Sequence, residues 1–311
     1  MTQEAVLSSK IEGTQATLQE VLEFEADSSK YQEKREDIGE IRNYRMAMQH
    51  AVKELDKLPL CLRLIKSIHK ILMSDVRGQN KNPGAFRNIQ NWIGKPGSPI
   101  EKASFVPPSP ETLPDCLSNL EKYMNIDDKD FLVQAGIMHA QFEILHPFLD
   151  GNGRIGRMLI PLFFYNKSVM NNPAFYISGY FESNRDEYYM RLRNVSTKND
   201  WTGWLIFFLN AVSSQSLSNI EKTKKVLVLY KKCEQKIIDI TKSNRSITIA
   251  ETLFKIPVFR SSQFAEITGI PQKAVERYMK MFLEKKMLSV DDREKRRTYF
   301  FNDLLDILNG A

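Results

Sequence analysis

Residues 146–157 read HPFLDGNGRIGR and concentrate most of the chemistry this 311-residue chain can offer. His146 is the side chain in that run that readily accepts a proton near neutral pH. Asp150 supplies a hard oxygen ligand suited to Mg2+. Gly151 and Gly153 carry no side chains, so an anion can come close to their backbone. Arg154 and Arg157 lie three residues apart, on one face if the segment is helical. Two guanidiniums beside a nest of N–H groups suit a polyphosphate. A base, a metal ligand, an anion hole and cationic clamps are the parts of phosphoryl or nucleotidyl transfer.

The flanking pattern says what must position these groups. Val133, Ile137, Ala140 and Ile144 recur at helical spacing, and Pro147 stops that helix. Ile155, Leu159 and Leu162 then resume the helical period. The run is therefore a loop between two helices, with its glycines at the start of the second. N–H groups at a helix start lack intrahelical partners and carry the positive end of the helix dipole. Gly151, Gly153 and Gly156 also spell the dinucleotide fingerprint G-x-G-x-x-G, but that fingerprint follows a strand, and here a helix precedes it. A Walker P-loop is absent from the sequence.

The segment resembles the signature of the Fic family, H-x-F-x-[DE]-G-N-G-R-x-x-R, at every defined position. The likeness extends to His69, the Pro83-Gly84 turn, Arg87 and the run 90–94, and covers roughly residues 1–215. It implies a helical core with a β-hairpin flap at about 92–107 and transfer of AMP from Mg-ATP to a Ser, Thr or Tyr hydroxyl of a target protein. The roles it implies are His146 as general base, Phe148 as loop anchor and Asp150 as Mg2+ ligand. Gly151, Asn152 and Gly153 would form the anion hole, and Arg154 and Arg157 would hold the phosphate tail. The flap would hold the target by strand addition. Relatives that transfer phosphate carry lysine where Gly153 stands here, which favours AMP as the transferred group.

Ser8 and Glu12 are four apart and share a helical face, with Gly13 ending the turn. Alone, that spacing signifies an ordinary surface pair. Beside the loop it resembles the family's inhibitory motif [ST]-x-x-x-E-[GN], which implies that Glu12 pairs with Arg157 and keeps the enzyme in check. The same glutamate would permit removal of AMP from the target. Asn184, Tyr188 and Tyr189 lie on a later helix and are candidates for the adenine pocket, with core packing the alternative for the tyrosines.

The C-terminal part resembles a winged helix-turn-helix. Ser262 is placed as the cap of a short helix ending at Gly269, and Pro271 opens the next. Phe264, Ile267, Val275, Met279 and Phe282 form the expected core. Lys273, Arg277 and Lys280 share one face, and Arg293, Lys295, Arg296 and Arg297 sit on the wing. This points either to DNA binding through phosphate contacts or to a docking or dimerisation module with a solvated basic face.

Composition bounds the rest. The net charge of +6 permits nucleic-acid contact without requiring it. Cys61, Cys116 and Cys233 are scattered, without metal or redox spacing, which fits a reducing cytoplasm. No apolar run suggests a membrane span, and the first residues do not read as a secretory signal. The expected organisation is mainly α: residues 1–105 as the N-terminal region with inhibitory helix and flap, 106–220 as the catalytic core, and 240–311 as the winged helix. The expected cofactors are ATP and Mg2+, and the expected partners are a target protein, DNA and a second copy of the chain. A nucleotide-sensing, DNA-binding regulator is the alternative to the enzyme.

Overall fold

The computed structural model describes residues 1–74, 81–94, 97, 99–291 and 297–310. Arg293, Lys295 and Arg296, expected on a wing, lie outside the described residues. The chain is predominantly helical and forms two compact units, Met1–Gln15 with Gly39–Ser216, and Ala16–Ile38 with Leu217–Ala311. Among the described residues no helix is long and apolar enough to cross a membrane.

Gly13 separates α1 (Thr2–Ile11) from α2 (Leu18–Ala26), as its φ of 102° requires. Then come α3 (Arg35–Leu55), α4 (Leu62–Leu72), α5 (Leu113–Asn125), α6 (Phe131–Leu145) and α7 (Asn152–Asn166). They are followed by α8 (Ser178–Ser183), α9 (Arg185–Lys198) and α10 (Trp201–Thr241). The first unit is organised around α6 and α7. α6 packs against α5, α7 and α9, and α7 also meets α1 and α4. Both helices are apolar on nearly every side, the pattern of helices enclosed by others. Trp204 of α10 donates its indole N–H to the Gly136 carbonyl at 2.8 Å, so its one polar group is satisfied in the core.

Among its described residues the segment 92–107 turns back through one antiparallel bridge, Ile93 to Phe105. Ile93 N–H donates to the Phe105 carbonyl at 2.9 Å. A short 3-10 turn, Ile100–Lys102, occupies the return leg, and Pro107 and Pro108 remove ladder donors beyond it. Trp92, Ile93 and Val106 stay exposed.

In the second unit, α2 begins with a full capping box. Thr17 Oγ1 accepts from Glu20 N–H at 3.3 Å, and Glu20 accepts from Thr17 N–H at 2.8 Å. The distal part of α10 leads into α11 (Ser246–Lys255), β1 (Val258–Arg260), α12 (Ser261–Thr268) and α13 (Gln272–Glu284). β2 (Ser289–Asp291), β3 (Thr298–Phe300) and α14 (Asn302–Asn309) complete it. The sheet order is β1-β3-β2, antiparallel throughout, with Phe300 opposite both Val258 and Ser289. Phe259, Phe264, Val275, Met279, Phe282 and Phe301 fill the core. Two expectations need correction. Ile267 is 41% exposed, because it falls on the outer face of the eight-residue α12. Ser262 lies inside α12, whose start carries no side-chain cap. α2 packs against β1, and Asp27 pairs with Arg260.

Candidate active site

The loop between α6 and α7 is built from strained backbone held by polar staples. His146 closes α6 in the left-handed region at φ 44°, unusual for a residue with a side chain. Pro147 bars helical continuation. The held conformation has an identifiable clamp in Arg87, only 3% exposed. Its Nε donates to the His146 carbonyl at 3.0 Å, its Nη2 to Leu145 at 3.3 Å, and its backbone N–H to Pro147 at 2.9 Å. The orphan carbonyls at the end of α6 are thereby satisfied. Asn91 adds a bond to the Phe148 carbonyl at 3.0 Å.

Phe148 is fully buried and stacks on His69, with ring centroids 3.7 Å apart and planes 5° apart. His69 accepts from Gly84 N–H at Nδ1 (2.8 Å) and donates from Nε2 to the Asp150 carbonyl at 3.0 Å. Burial pushes its pKa down to about 4, so the ring is neutral, as this arrangement demands. Asn152 closes the loop by accepting from Phe148 N–H and donating to the Phe148 carbonyl, both at 2.8 Å. Its side chain is therefore committed to the loop, and only its backbone N–H can face an anion. Gly151 takes φ 75° at the cap of α7, which leaves the first N–H groups of that helix without intrahelical acceptors.

Arg154 and Arg157, 4% and 1% exposed, both hold carboxylates. Arg154 Nη1 donates to Glu40 at 3.0 Å and lies 3.8 Å from Asp150 through Nη2. Arg157 donates from Nε to Ser8 Oγ at 2.9 Å, and from Nη2 to the Ser8 carbonyl at 2.9 Å and Glu12 Oε1 at 2.7 Å. Burial works to raise the Glu12 carboxyl, but Arg157 outweighs it and holds the group below the usual range. A Cβ at position 153 would collide with that carboxylate, so Gly153 is also what lets Glu12 reach the helix start. Helix α1 is pinned at its other end, where buried Glu4 accepts from Ser178 Oγ at 2.5 Å.

These groups border a cavity of about 360 Å3, lined by Glu12, Glu40, His146, Asp150, Gly153 and Arg154 among others. That volume falls within the range of about 300–1,000 Å3 typical of small-molecule sites. Burial pushes the His146 pKa down to about 4 despite the opposing pull of Glu12. The Glu143 backbone beside the ring also works against burial and favours its protonated form. Burial prevails, so the ring is neutral at pH 7, with a lone pair that can accept a hydrogen bond from a hydroxyl in the cavity. Asp150 is half-exposed at the rim. A single carboxylate there fits Mg2+ that arrives with phosphate oxygens and water as its remaining ligands.

Residues 59–164 match the Fic/DOC family, and residues 1–53 match the Fic/DOC family N-terminal region. This chain belongs to the Fic/DOC family. It is similar to a probable protein adenylyltransferase of Aquifex aeolicus, 32% identical over 35% of this chain and 32% of that protein. The protein adenylyltransferase Fic of Drosophila grimshawi is 29% identical over 39% of this chain and 24% of that protein. The chain thus spans about a third or less of these curated relatives. A Fic family protein from Desulfovibrio desulfuricans shares the fold at TM-score 0.62 and 18% identity, over 96% of this chain and 86% of that one. A Fic domain protein from Bacteroides thetaiotaomicron does so at TM-score 0.56 and 20% identity, over 70% of this chain and 84% of that one.

The other expected residues are placed differently by this Fic fold. Asn184 donates to the Tyr180 carbonyl at 2.9 Å, at the joint of α8 and α9. Tyr188 is 1% exposed; its hydroxyl bonds His139 Nε2 at 2.8 Å and its ring stacks on Phe181 at 4.4 Å. It belongs to the core, whereas Tyr189 is 42% exposed. The described lining of the cavity includes none of the three. Glu40, His69 and Arg87, which shape the Fic loop, carry no motif of their own that assigns those contacts. Glu40 is an acid on the buried face of α3, and an acid at helical spacing with apolar residues is the signal that could have drawn attention to it.

Proposed function

We propose that the chain is a protein adenylyltransferase that moves AMP from Mg-ATP to a Ser, Thr or Tyr hydroxyl of another protein, and that Glu12 restrains it. The observation that carries this reading is the convergence of His146, the open start of α7, buried Arg154 and the Glu12 that holds Arg157 on one cavity. The names of the curated relatives support AMP as the transferred group.

In this reading His146 takes the proton of the target hydroxyl as its oxygen bonds the α-phosphorus and pyrophosphate leaves. The low pKa keeps His146 in its base form at neutral pH. N–H groups at the start of α7 meet the negative charge of the phosphates without rearrangement. Asp150 would hold Mg2+, which when bound neutralises phosphate charge. Arg154 and Arg157 would hold the phosphate tail. Glu12 restrains the reaction because its carboxylate occupies the guanidinium that the tail needs and sets like charge in its way. A misplacement of about 1 Å at a reacting centre can cost on the order of a hundredfold in rate. The exposed Trp92, Ile93 and Val106 beside the single bridge support docking of an extended target segment there.

The test is incubation with ATP labelled on the α-phosphate, using wild type, Glu12→Gly and His146→Ala, with cell lysate as the source of target. Label on protein that rises with Glu12→Gly and vanishes with His146→Ala is the expected result. Absence of label in all three defeats the reading.

A second reading, a DNA-binding regulator that senses nucleotide, is favoured by the second unit. Its order of helix, strand, two helices and two paired strands supports a winged-helix reading. Lys273, Arg277 and Lys280 are exposed along α13. Retention on duplex DNA that falls steeply with added salt supports it, and no retention at low salt removes it.

A further inference from the structure

Two donors from different parts of the chain meet on one oxygen of Glu40. Arg154 Nη1 reaches Oε2 at 3.0 Å and Thr14 Oγ1 reaches the same atom at 3.3 Å. The side chains of Glu40 and Arg154 are 8% and 5% exposed, so their pairing is shielded from water. Both residues line the cavity at the start of α7. The other contacts of the Arg154 head are loose: Asp150 at 3.8 Å and the Met73 sulfur at 3.8 Å, the latter a weak acceptor. A long, rotamer-rich side chain with loose contacts at one edge takes its orientation from the firm contact at the other.

We propose that Glu40 is a positioning residue for the nucleotide site. It fixes the plane of the Arg154 guanidinium, so that the remaining N–H groups face the same anion as the start of α7. The inference rests on the nucleotide-site reading above. Its competitor is that Glu40 merely ties α3 to α7, a contribution to stability with no effect on ligand. The two differ in what happens once Arg154 is gone: a positioning residue then has nothing left to position.

Thr14 lies two residues beyond Glu12, so altering Glu40 in the wild type would also loosen the segment that carries Glu12. The measurement is therefore made in the Glu12→Gly background. Calorimetric titration with Mg2+ and a non-hydrolysable ATP analogue compares E12G, E12G/E40Q, E12G/R154A and the triple variant. The expected result is affinity lower by about tenfold for E12G/E40Q, the mid-range coupling for groups in one salt-bridge network. In the R154A background, E40Q should cause no further loss, and E12G/E40D should recover part of the affinity. Thermal melting of the unliganded proteins shows that each is folded. Equal binding by E12G and E12G/E40Q, with binding lost in E12G/R154A, overturns the role of Glu40 and leaves the nucleotide site standing. Equal losses from E40Q with and without Arg154 also overturn it. No binding by E12G itself defeats the nucleotide site and this inference with it. If the glutamine variant does not fold, E12G/E40D takes its place, and unaltered affinity there is the overturning result.

Discussion

Arg154 and Arg157 are 4% and 1% exposed and each already grips a glutamate, whereas Lys273, Arg277 and Lys280 stand in solvent along α13. The buried pair lost its hydration when the chain folded, and its charge is balanced by carboxylates that a ligand must displace or share. Such cations can be switched by moving a carboxylate. The exposed set is screened by salt over about 8–10 Å at moderate ionic strength and attracts any polyanion in proportion to charge. Burial therefore suits a gated, selective anion site, and exposure a general one.

The largest effect that could break this contrast is on protein labelling from α-labelled ATP. Arg157→Ala in the Glu12→Gly background should reduce it on the order of a thousandfold, the scale of losing a cation that stabilises transferring phosphate charge. Changing Lys273, Arg277 and Lys280 together to alanine should leave it unaltered; a comparable loss there would end the distinction. Next in size is release of the gate. Glu12→Gly should raise labelling by about a hundredfold, while added salt should not release the wild type, since the Glu12–Arg157 contact ends on a guanidinium with 1% exposure. Activation by salt alone would mean that the pair behaves as a surface bridge. On the exposed side, each alanine on α13 should lower the slope of log affinity for duplex DNA against log salt by about one. An unchanged slope would show that this face does not carry binding.

The smallest expected effect is on pH dependence. The His146 pKa is depressed to about 4 from its ordinary value, so the base form persists well below neutrality. Glu12 raises that pKa, so its removal can only push the limb lower. kcat/KM of Glu12→Gly should therefore stay level from pH 8 to about 6, where an unperturbed histidine near 6.5 would already be losing activity. A half-loss near pH 6.5 would place His146 in a far wetter setting than its burial implies.

The chemistry-bearing loop was legible because helix, proline stop, glycine cap and helix succeed one another within a short run, each with a local cause. The Thr17–Glu20 box was legible for the same reason. Glu12 on Arg157 was reachable only through family likeness, since 145 positions separate the two and spacing alone says nothing. Glu40 on Arg154 spans 114 positions, and although Arg154 stands in the signature, nothing at Glu40 flags the match. Tyr188 and Tyr189 illustrate a different limit. Adjacent residues on α9 face different ways, one into the core and one into solvent, and which is which depends on how α9 lies on α6. The sequence reads as core helices up to about Val212 and a charged helical connector from Asn219 to Asp239, yet α10 runs unbroken from Trp201 to Thr241. Helix propensity is a weak prior when both flanks are strongly helical. The 92–107 turn reads as a hairpin from its apolar runs, and among its described residues one bridge, Ile93 to Phe105, pairs the two legs.

The way the chain divides has a practical bearing on how an unrestrained enzyme would be engineered. Clipping the N-terminus far enough to remove Glu12 is the obvious route, and a generous cut would also take α2. That helix buries Val21, Leu22 and Phe24, packs on β1, and supplies the aspartate that neutralises Arg260. Residues Ala16–Ile38 count structurally with the C-terminal half. A truncated protein would thus be damaged in the half the cut was meant to spare, and any change in its DNA or target binding could not be credited to relief of inhibition. A single substitution at Glu12 separates the two effects; scissors do not.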